Sequence, residues 1–308
     1  MCIPRPTAGL LVNPTPPDVM AHAGDLVEHL SVIPERLFYD FGPGQPAGER
    51  LCHPRGWIEE VVAMLAGRPV SAHSFGLSLP SVMPLDGEMV DGLAEVASRL
   101  GGFAWFSEHL NVTMPSWDAE PHSNTSIALP ISYDQESYRL LAGKIRQLRD
   151  RLGCRVLMEN PATIIPLPEM PMTEPEFLNQ LHRDGVAGTL LDLHNLLVSA
   201  RNGGPGMATY LSQLDPRAVE EVHLAGGDAF DGVYTDSHSR LTPEEIWEVA
   251  EEFLPRCPNL RAITFEYNES YFEDFGIDGV AQELQRMGRL CRACGAPSPM
   301  APGGRHVA

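Results

Sequence analysis

Short apolar runs, each closed by a polar side chain, alternate with amphipathic stretches along most of the chain. The runs are Gly9-Leu10-Leu11-Val12-Asn13, Arg36-Leu37-Phe38-Tyr39-Asp40-Phe41, Pro69-Val70-Ser71-Ala72-His73 and Phe103-Ala104-Trp105-Phe106-Ser107-Glu108-His109. They continue with Arg155-Val156-Leu157-Met158-Glu159-Asn160, Thr189-Leu190-Leu191-Asp192-Leu193-His194-Asn195-Leu196, Val219-Glu220-Glu221-Val222-His223-Leu224 and Arg261-Ala262-Ile263-Thr264-Phe265-Glu266. Runs of this length and apolarity belong to strands buried on both faces. Between them the spacing predicts helices over 16–30, 56–66, 85–100, 133–152, 173–183, 207–213 and 277–292, with another opening at Thr242. Thr173 and Glu176 form a capping-box pair, and Thr242 with Pro243 reads as an N-cap followed by N1. Strand and helix in this rhythm over about 290 residues predict an α/β fold, a (β/α)8 TIM barrel, as one domain over 1–292. The Pro/Gly-rich segment 293–308 is expected to be a disordered tail. An open doubly wound sheet is the alternative, but no Gly-rich phosphate turn follows the first run.

The polar residues that close the runs change the picture most. A carboxylate at the end of an apolar run, as at Asp192, is costly to bury unless it is paired or bound to a metal. If that strand persists to His194, both side chains share a face. The pattern recurs: Asn13, Asp40, His73, Glu108-His109, Glu159-Asn160, Asp192-x-His194-Asn195, His223 and Glu266 all close strands, and Asp236-x-His238 follows the seventh. A barrel gathers such ends around one mouth. Imidazoles and carboxylates crowded there need something positive between them, and a cluster of divalent metals supplies it. With no cysteine among these ends, iron, manganese or zinc fit the donor set.

Charge and cysteines exclude other classes. The 308-residue chain carries a formal net charge of −19, which repels nucleic acid and anionic lipid and suits cations or a basic partner. No apolar run approaches the roughly 20 residues of a membrane span, and the N-terminus lacks a signal-peptide pattern, so a cytoplasmic location is expected. Cys291 and Cys294 form a lone C-x-x-C on the last predicted helix, and Cys2, Cys52, Cys154 and Cys257 are scattered, with Cys154 expected in the core. No disulfide scaffold follows from that spacing.

His73-Ser74-Phe75-Gly76-Leu77-Ser78-Leu79, Ser107-Glu108-His109-Leu110, Met158-Glu159-Asn160, Leu190-Leu191-Asp192-Leu193-His194-Asn195, His223-Leu224-Ala225-Gly226, Asp236-Ser237-His238 and Phe265-Glu266 occur in that order. With them the chain, from about Gly9 to Tyr271, resembles the multinuclear non-haem iron oxidative enzymes, long catalogued as domain of unknown function 692, which include the methanobactin biosynthesis enzyme. The resemblance implies a TIM barrel holding two or three irons, Fe2+ or Fe3+, with O2 as co-substrate. It implies oxidation of a residue, often Cys and sometimes Asp or Asn, in a ribosomally made precursor peptide, with a separate leader-recognition protein as partner. By position Glu159, Asp192, His223 and Glu266 would hold one iron. His73 and His109 would hold a second with Glu159 bridging, and Asp236 and His238 a third. His194 and Glu108 are further candidates as ligands or as groups that orient them, as are Asn160 and Asn195. His194 stands where the family often carries Asn, and Tyr39-Asp40-Phe41 departs from the Glu-Asn pattern expected there. The residues alone also admit a xylose-isomerase-like divalent-metal hydrolase or isomerase, and a non-catalytic metal store.

Overall fold

A computed structural model describes residues 5–12, 17–42, 44–46, 48–113, 128–164 and 168–295. Eight parallel strands close into a barrel in which chain order is spatial order. They are β1 Thr7–Val12, β2 His29–Val32, β3 Val70–Ser74, β4 Trp105–His109, β5 Arg155–Glu159, β6 Gly188–Asp192, β7 Val219–Leu224 and β8 Ala262–Phe265. Around them run α1 Pro17–Ala23, α2 Trp57–Leu65, α3 Gly87–Leu100, α4 Gln135–Leu152, α5 Glu174–Arg183, α6 Leu193–Arg201, α7 Met207–Gln213, α8 Glu244–Phe253 and α9 Phe272–Cys294. The predicted (β/α)8 architecture is the observed one. The apolar runs form strands because both faces are covered: one by the helices, whose buried stripes include Leu93, Leu141, Phe177 and Trp247, the other by the barrel interior.

The second strand lies earlier than its predicted position. His29-Leu30-Ser31-Val32 is fully buried and pairs with β1 and β3. The expected helix over 16–30 stops at Ala23, and the chain reaches β2 through a 3-10 turn, Gly24–Leu26. Arg36-Leu37 instead ends another 3-10 turn, and Tyr39–Asp40 pairs with Leu51–Cys52 in an exposed antiparallel ribbon. A four-residue strand carrying His and Ser offers too little apolar signal to compete with a longer run downstream.

Three other boundaries move. β6 ends on Asp192 and α6 starts at once, so His194 rides a helix and not a strand. Asp192 itself caps that helix, its Oδ1 accepting from Asn195 N at 2.7 Å. α8 begins at Glu244 with Pro243 in the cap position and no side-chain cap, so Thr242 does not play the predicted part. In α9 the backbone breaks at Gly276 (φ 61°, ψ −172°), and the regular helix runs from there, close to the expected start. The capping box of Thr173 and Glu176 forms as predicted. Cys154 is only partly buried; Cys291 and Cys294 lie on α9, the first buried. Asn13, Cys2, the tail from 296 and most of the loop after β4 lie outside the described residues.

Candidate metal centre

Register decides which side chains meet. One ladder row pairs His109 with Glu159, Glu159 with Leu190, Leu190 with Glu221, Glu221 with Ala262 and Ala262 with Thr7. Another pairs Asp192 with His223, His223 with Thr264, Thr264 with Gly9 and Gly9 with His29. Strands of a closed barrel are tilted and staggered. Each row therefore descends from strand ends to strand starts: Asp192 is the last residue of β6, and His29 the first of β2. The upper members of both rows meet at the mouth, and the lower members line the lumen beneath it.

At the mouth, Glu159 Oε2 lies 3.0 Å from His109 Nε2 and 3.4 Å from His73 Nε2. His223 Nδ1 lies 2.8 Å from Glu266 Oε1 and 3.9 Å from Glu159 Oε1. Glu266 Oε2 is 3.5 Å from His238 Nδ1, whose other nitrogen is 2.8 Å from Asp236 Oδ1. His194 Nδ1 reaches the same Asp236 oxygen at 3.0 Å. Five triplets of donor atoms are close enough to share an ion: His73, His109 and Glu159; Glu159, Asp192 and His223; His73, His223 and Glu266; Asp192, His238 and Glu266; and His194, Asp236 and His238. All eight strand-end and loop residues proposed as ligands thus converge, and His194 joins them from α6.

The donor atoms face one another without being satisfied. Glu159 Oε2, Asp192 Oδ2, Glu266 Oε1, His223 Nδ1, His194 Nε2 and His238 Nε2 are buried and accept or donate no hydrogen bond. Buried polar atoms are nearly always paired. Here several lie within 3 Å of a partner yet off hydrogen-bonding alignment, as donors aimed at a common point do. A bound cation would satisfy them together, so the residues fit a metal cluster.

Surrounding groups hold the ligands' other atoms. His73 Nδ1 meets Ser107 Oγ at 3.0 Å, and His109 Nδ1 faces the Ser74 carbonyl at 3.3 Å. Asn160 brackets Asp192, donating to its carbonyl at 2.9 Å and accepting from its N–H at 2.8 Å. Asn195 Nδ2 donates to Glu159 Oε1 at 3.3 Å. Asn160 and Asn195 therefore orient the carboxylates.

Electrostatics follow the crowding. Burial works against charge on every member, but neighbours override it unevenly. Burial lowers His73 to about 4, only partly opposed by Glu159. His109 is held well above its ordinary value because Glu159 and Glu108 outweigh burial. Burial would lower His238, yet Asp236 pushes it up to about 10. Glu159 and Glu266 are pulled down against their burial, chiefly by His109 and His223 respectively, whereas burial and Glu159 drive Asp192 well up. Without a cation, one of these acids keeps its proton.

Some predicted residues stand apart. Glu108 faces the opposite side of β4 from His109. Its oxygens accept from Ser74 Oγ, Leu77 N and His109 N, each at 3.1 Å, so it ties down the loop after β3. Asp40 is engaged by Arg50 at 2.8 Å in the exposed ribbon. Conversely, Glu35, on the 3-10 turn after β2, carries no signal in the sequence, because the longer apolar run lies downstream of it. Its Oε1 accepts from Ser74 Oγ and from Gly76 N at 3.2 Å. Ser107 and Glu221 were legible by parity, since each stands two residues before a mouth histidine on the same strand.

Comparison with known proteins follows this geometry. Residues 27–291 match the model of the family described as RiPP precursor modification enzyme MbnB/TglH/ChrH. A UPF0276 protein of Bordetella parapertussis is 34% identical over 257 residues, covering 82% of this chain and 81% of its own length. A UPF0276 protein of Chromobacterium violaceum is 34% identical over 188 residues, 61% of this chain and 66% of that protein. Among solved structures, a xylose isomerase domain containing protein from Salmonella typhimurium superposes with a TM-score of 0.58 at 14% identity, covering 95% of this chain and 99% of its own. That likeness is one of fold.

Proposed function

The chain belongs to the RiPP precursor modification enzyme family MbnB/TglH/ChrH, and from that premise we propose that it oxidises a residue of a ribosomally made precursor peptide, using O2 at a multinuclear iron centre. The observation that carries this reading is the set of buried, unsatisfied nitrogen and oxygen donors converging at the barrel mouth. Imidazoles and carboxylates without thiolates suit iron. Glu159 would lie between one ion at His73 and His109 and another at Asp192, His223 and Glu266. Asp236 and His238, with His194, would hold a third. When bound, the irons would supply O2 activation, with O2 taking up the electrons removed from the peptide.

The chain's own residues do the rest. Ser107 and the Ser74 carbonyl fix which nitrogen each of His73 and His109 turns inward. The helix cap on Asp192 Oδ1 leaves Oδ2 for the centre. Holding the substrate residue among fixed donors would supply much of the entropic part of the rate. Tyr39, Phe41, Phe75 and Phe230, exposed on segments that follow strand ends, offer a peptide apolar footing. The target residue we favour is Cys, then Asp or Asn, and a separate protein would recognise the leader.

The test is co-expression with a candidate precursor peptide, sought among the reading frames neighbouring this chain's own, in air, followed by mass spectrometry. A peptide mass change that requires both iron and air, and that vanishes with Glu159→Ala, is expected. Turnover of a sugar or hydrolysable substrate with zinc or magnesium under strict anaerobiosis would instead support the isomerase or hydrolase reading.

A further inference from the structure

Barrel lumens are ordinarily filled by branched apolar side chains. Here the apolar cluster inside the strands is small, formed by Trp105, Leu157, Leu190 and Ala262. Beside it stands Glu221, fully buried, directly beneath His223. Its Oε2 accepts from Trp105 Nε1 at 2.5 Å, and its Oε1 accepts from Thr264 Oγ1 at 2.7 Å. The same Oε1 lies 3.4 Å from His223 Nε2. The column continues downward: Thr264 Oγ1 meets His29 Nε2 at 3.0 Å, and His29 Nδ1 meets Thr7 Oγ1 at 3.0 Å. One arrangement of protons satisfies the whole series. The Thr7 hydroxyl donates to His29 Nδ1, His29 Nε2–H donates to Thr264, and Thr264 donates to Glu221. Gly9 makes room for it, since a Cβ there would come within 2.0 Å of the His29 ring.

We propose that Glu221 is a positioning residue for the metal centre. Clamped by Trp105 and Thr264, it faces His223 Nε2 and keeps the proton on that nitrogen. Nδ1 is thereby left as the lone pair turned toward Glu266 and Glu159. A buried carboxylate in this place costs desolvation that a branched aliphatic would not, and orienting a ligand histidine is the return it gives. The inference rests on the mouth being a metal site, but its first readout needs no metal.

In metal-free protein, nitrogen-15 NMR of labelled histidine is expected to show a proton on His223 Nε2. Glu221→Gln, which offers an amide N–H to that nitrogen, should abolish or invert the pattern. Anaerobic Fe(II) titration should show the tightest iron weakened by about 10-fold to 100-fold. Thr264→Val leaves Glu221 and every proposed ligand in place; it decides the matter should Glu221→Gln fail to fold, with a weakening of about threefold or more expected. Wild-type histidine signals and wild-type iron affinity in a folded Glu221→Gln, or in Thr264→Val, overturn the proposal. A wild type that binds no iron, yet changes its His223 signals on Glu221→Gln, sinks the iron reading and leaves this one standing.

Discussion

His73, Glu159, Asp192 and His223 stand on four barrel strands and are placed by ladder register, whereas Asp236 and His238 arrive on the loop after β7. The strand-borne His73, Glu159 and His223 side chains are no more than 6% exposed, with His109 at its strand's last residue at 23%, against 34% for Asp236 and 23% for His238. Strand register costs no special backbone. The loop does: His238 sits at φ 50°, left-handed for a residue with a Cβ, and is held there by Asn268 N donating to its carbonyl at 2.9 Å. A Cβ at Gly226 would come within 2.2 Å of the Leu241 carbonyl, and one at Gly227 within 2.2 Å of the Thr235 carbonyl, so the loop packs too tightly for side chains there. The fold thus gives one half of the mouth as a consequence of closing the barrel and builds the other by local strain. The first half should be the tighter, and the second the one that loads last and empties first.

The sharpest way to break this contrast is Glu159→Ala. Glu159 contributes to two of the donor groups in the strand half, so its loss should empty the strand half and take peptide conversion to background. Metal analysis alongside mass spectrometry checks it. His238→Asn should separate the halves: asparagine tolerates the left-handed backbone, so the melting temperature should hold while the loop-half iron is lost and the strand half stays loaded. Acid should loosen both halves without mutation. His238, at about 10, and His109 and His223, each held well above the ordinary value by neighbouring carboxylates, must give up a proton to ligate, whereas His73, at about 4, is already neutral. As pH falls, iron affinity should drop by about tenfold per unit for each proton displaced, and iron titrations at pH 8 and pH 6 measure it.

Gly9→Ala probes the floor under the strand half. The added methyl strikes His29, and a destabilisation of about 1–3 kcal/mol is expected from overpacking, read from the urea midpoint. The smallest effect tests a remote site. Burial raises Glu283 on α9 to about 7 from 4.5. Its folded form therefore holds a proton that the unfolded chain releases, so wild-type stability falls as pH rises from about 4.5 through about 7. Glu283→Gln should raise the melting temperature at pH 8, leave it unchanged at pH 4, and alter neither half of the mouth.

Most of the mouth was legible because parallel-barrel strands advertise themselves twice, by apolar runs and by the polar residue that closes each one. His73, His109, Glu159, Asp192, His223 and Glu266 needed only that rule. What misled was short or mixed. β2, four residues with an imidazole inside the lumen, gave no apolar signal, and Glu35 was lost with it. The Asp192-to-Leu193 switch from strand to helix hid the route by which His194 reaches Asp236, since an apolar run cannot say where its period changes. Glu108 reads as a ligand or as a group that orients one because it adjoins His109; alternation sends it to the opposite face, where its Oε1 accepts from His109 N. The pairing of Asp236 with His238 depends on a left-handed residue that no local pattern announces.

The central claim is that these donors converge because several cations lie among them. The most direct test is the iron content per chain of protein loaded anaerobically with Fe(II), wild type beside Glu159→Ala. More than one iron per chain in the wild type, falling by at least one in the variant, is the predicted result. A wild type that takes up no metal, or a variant that keeps its full complement, would contradict it.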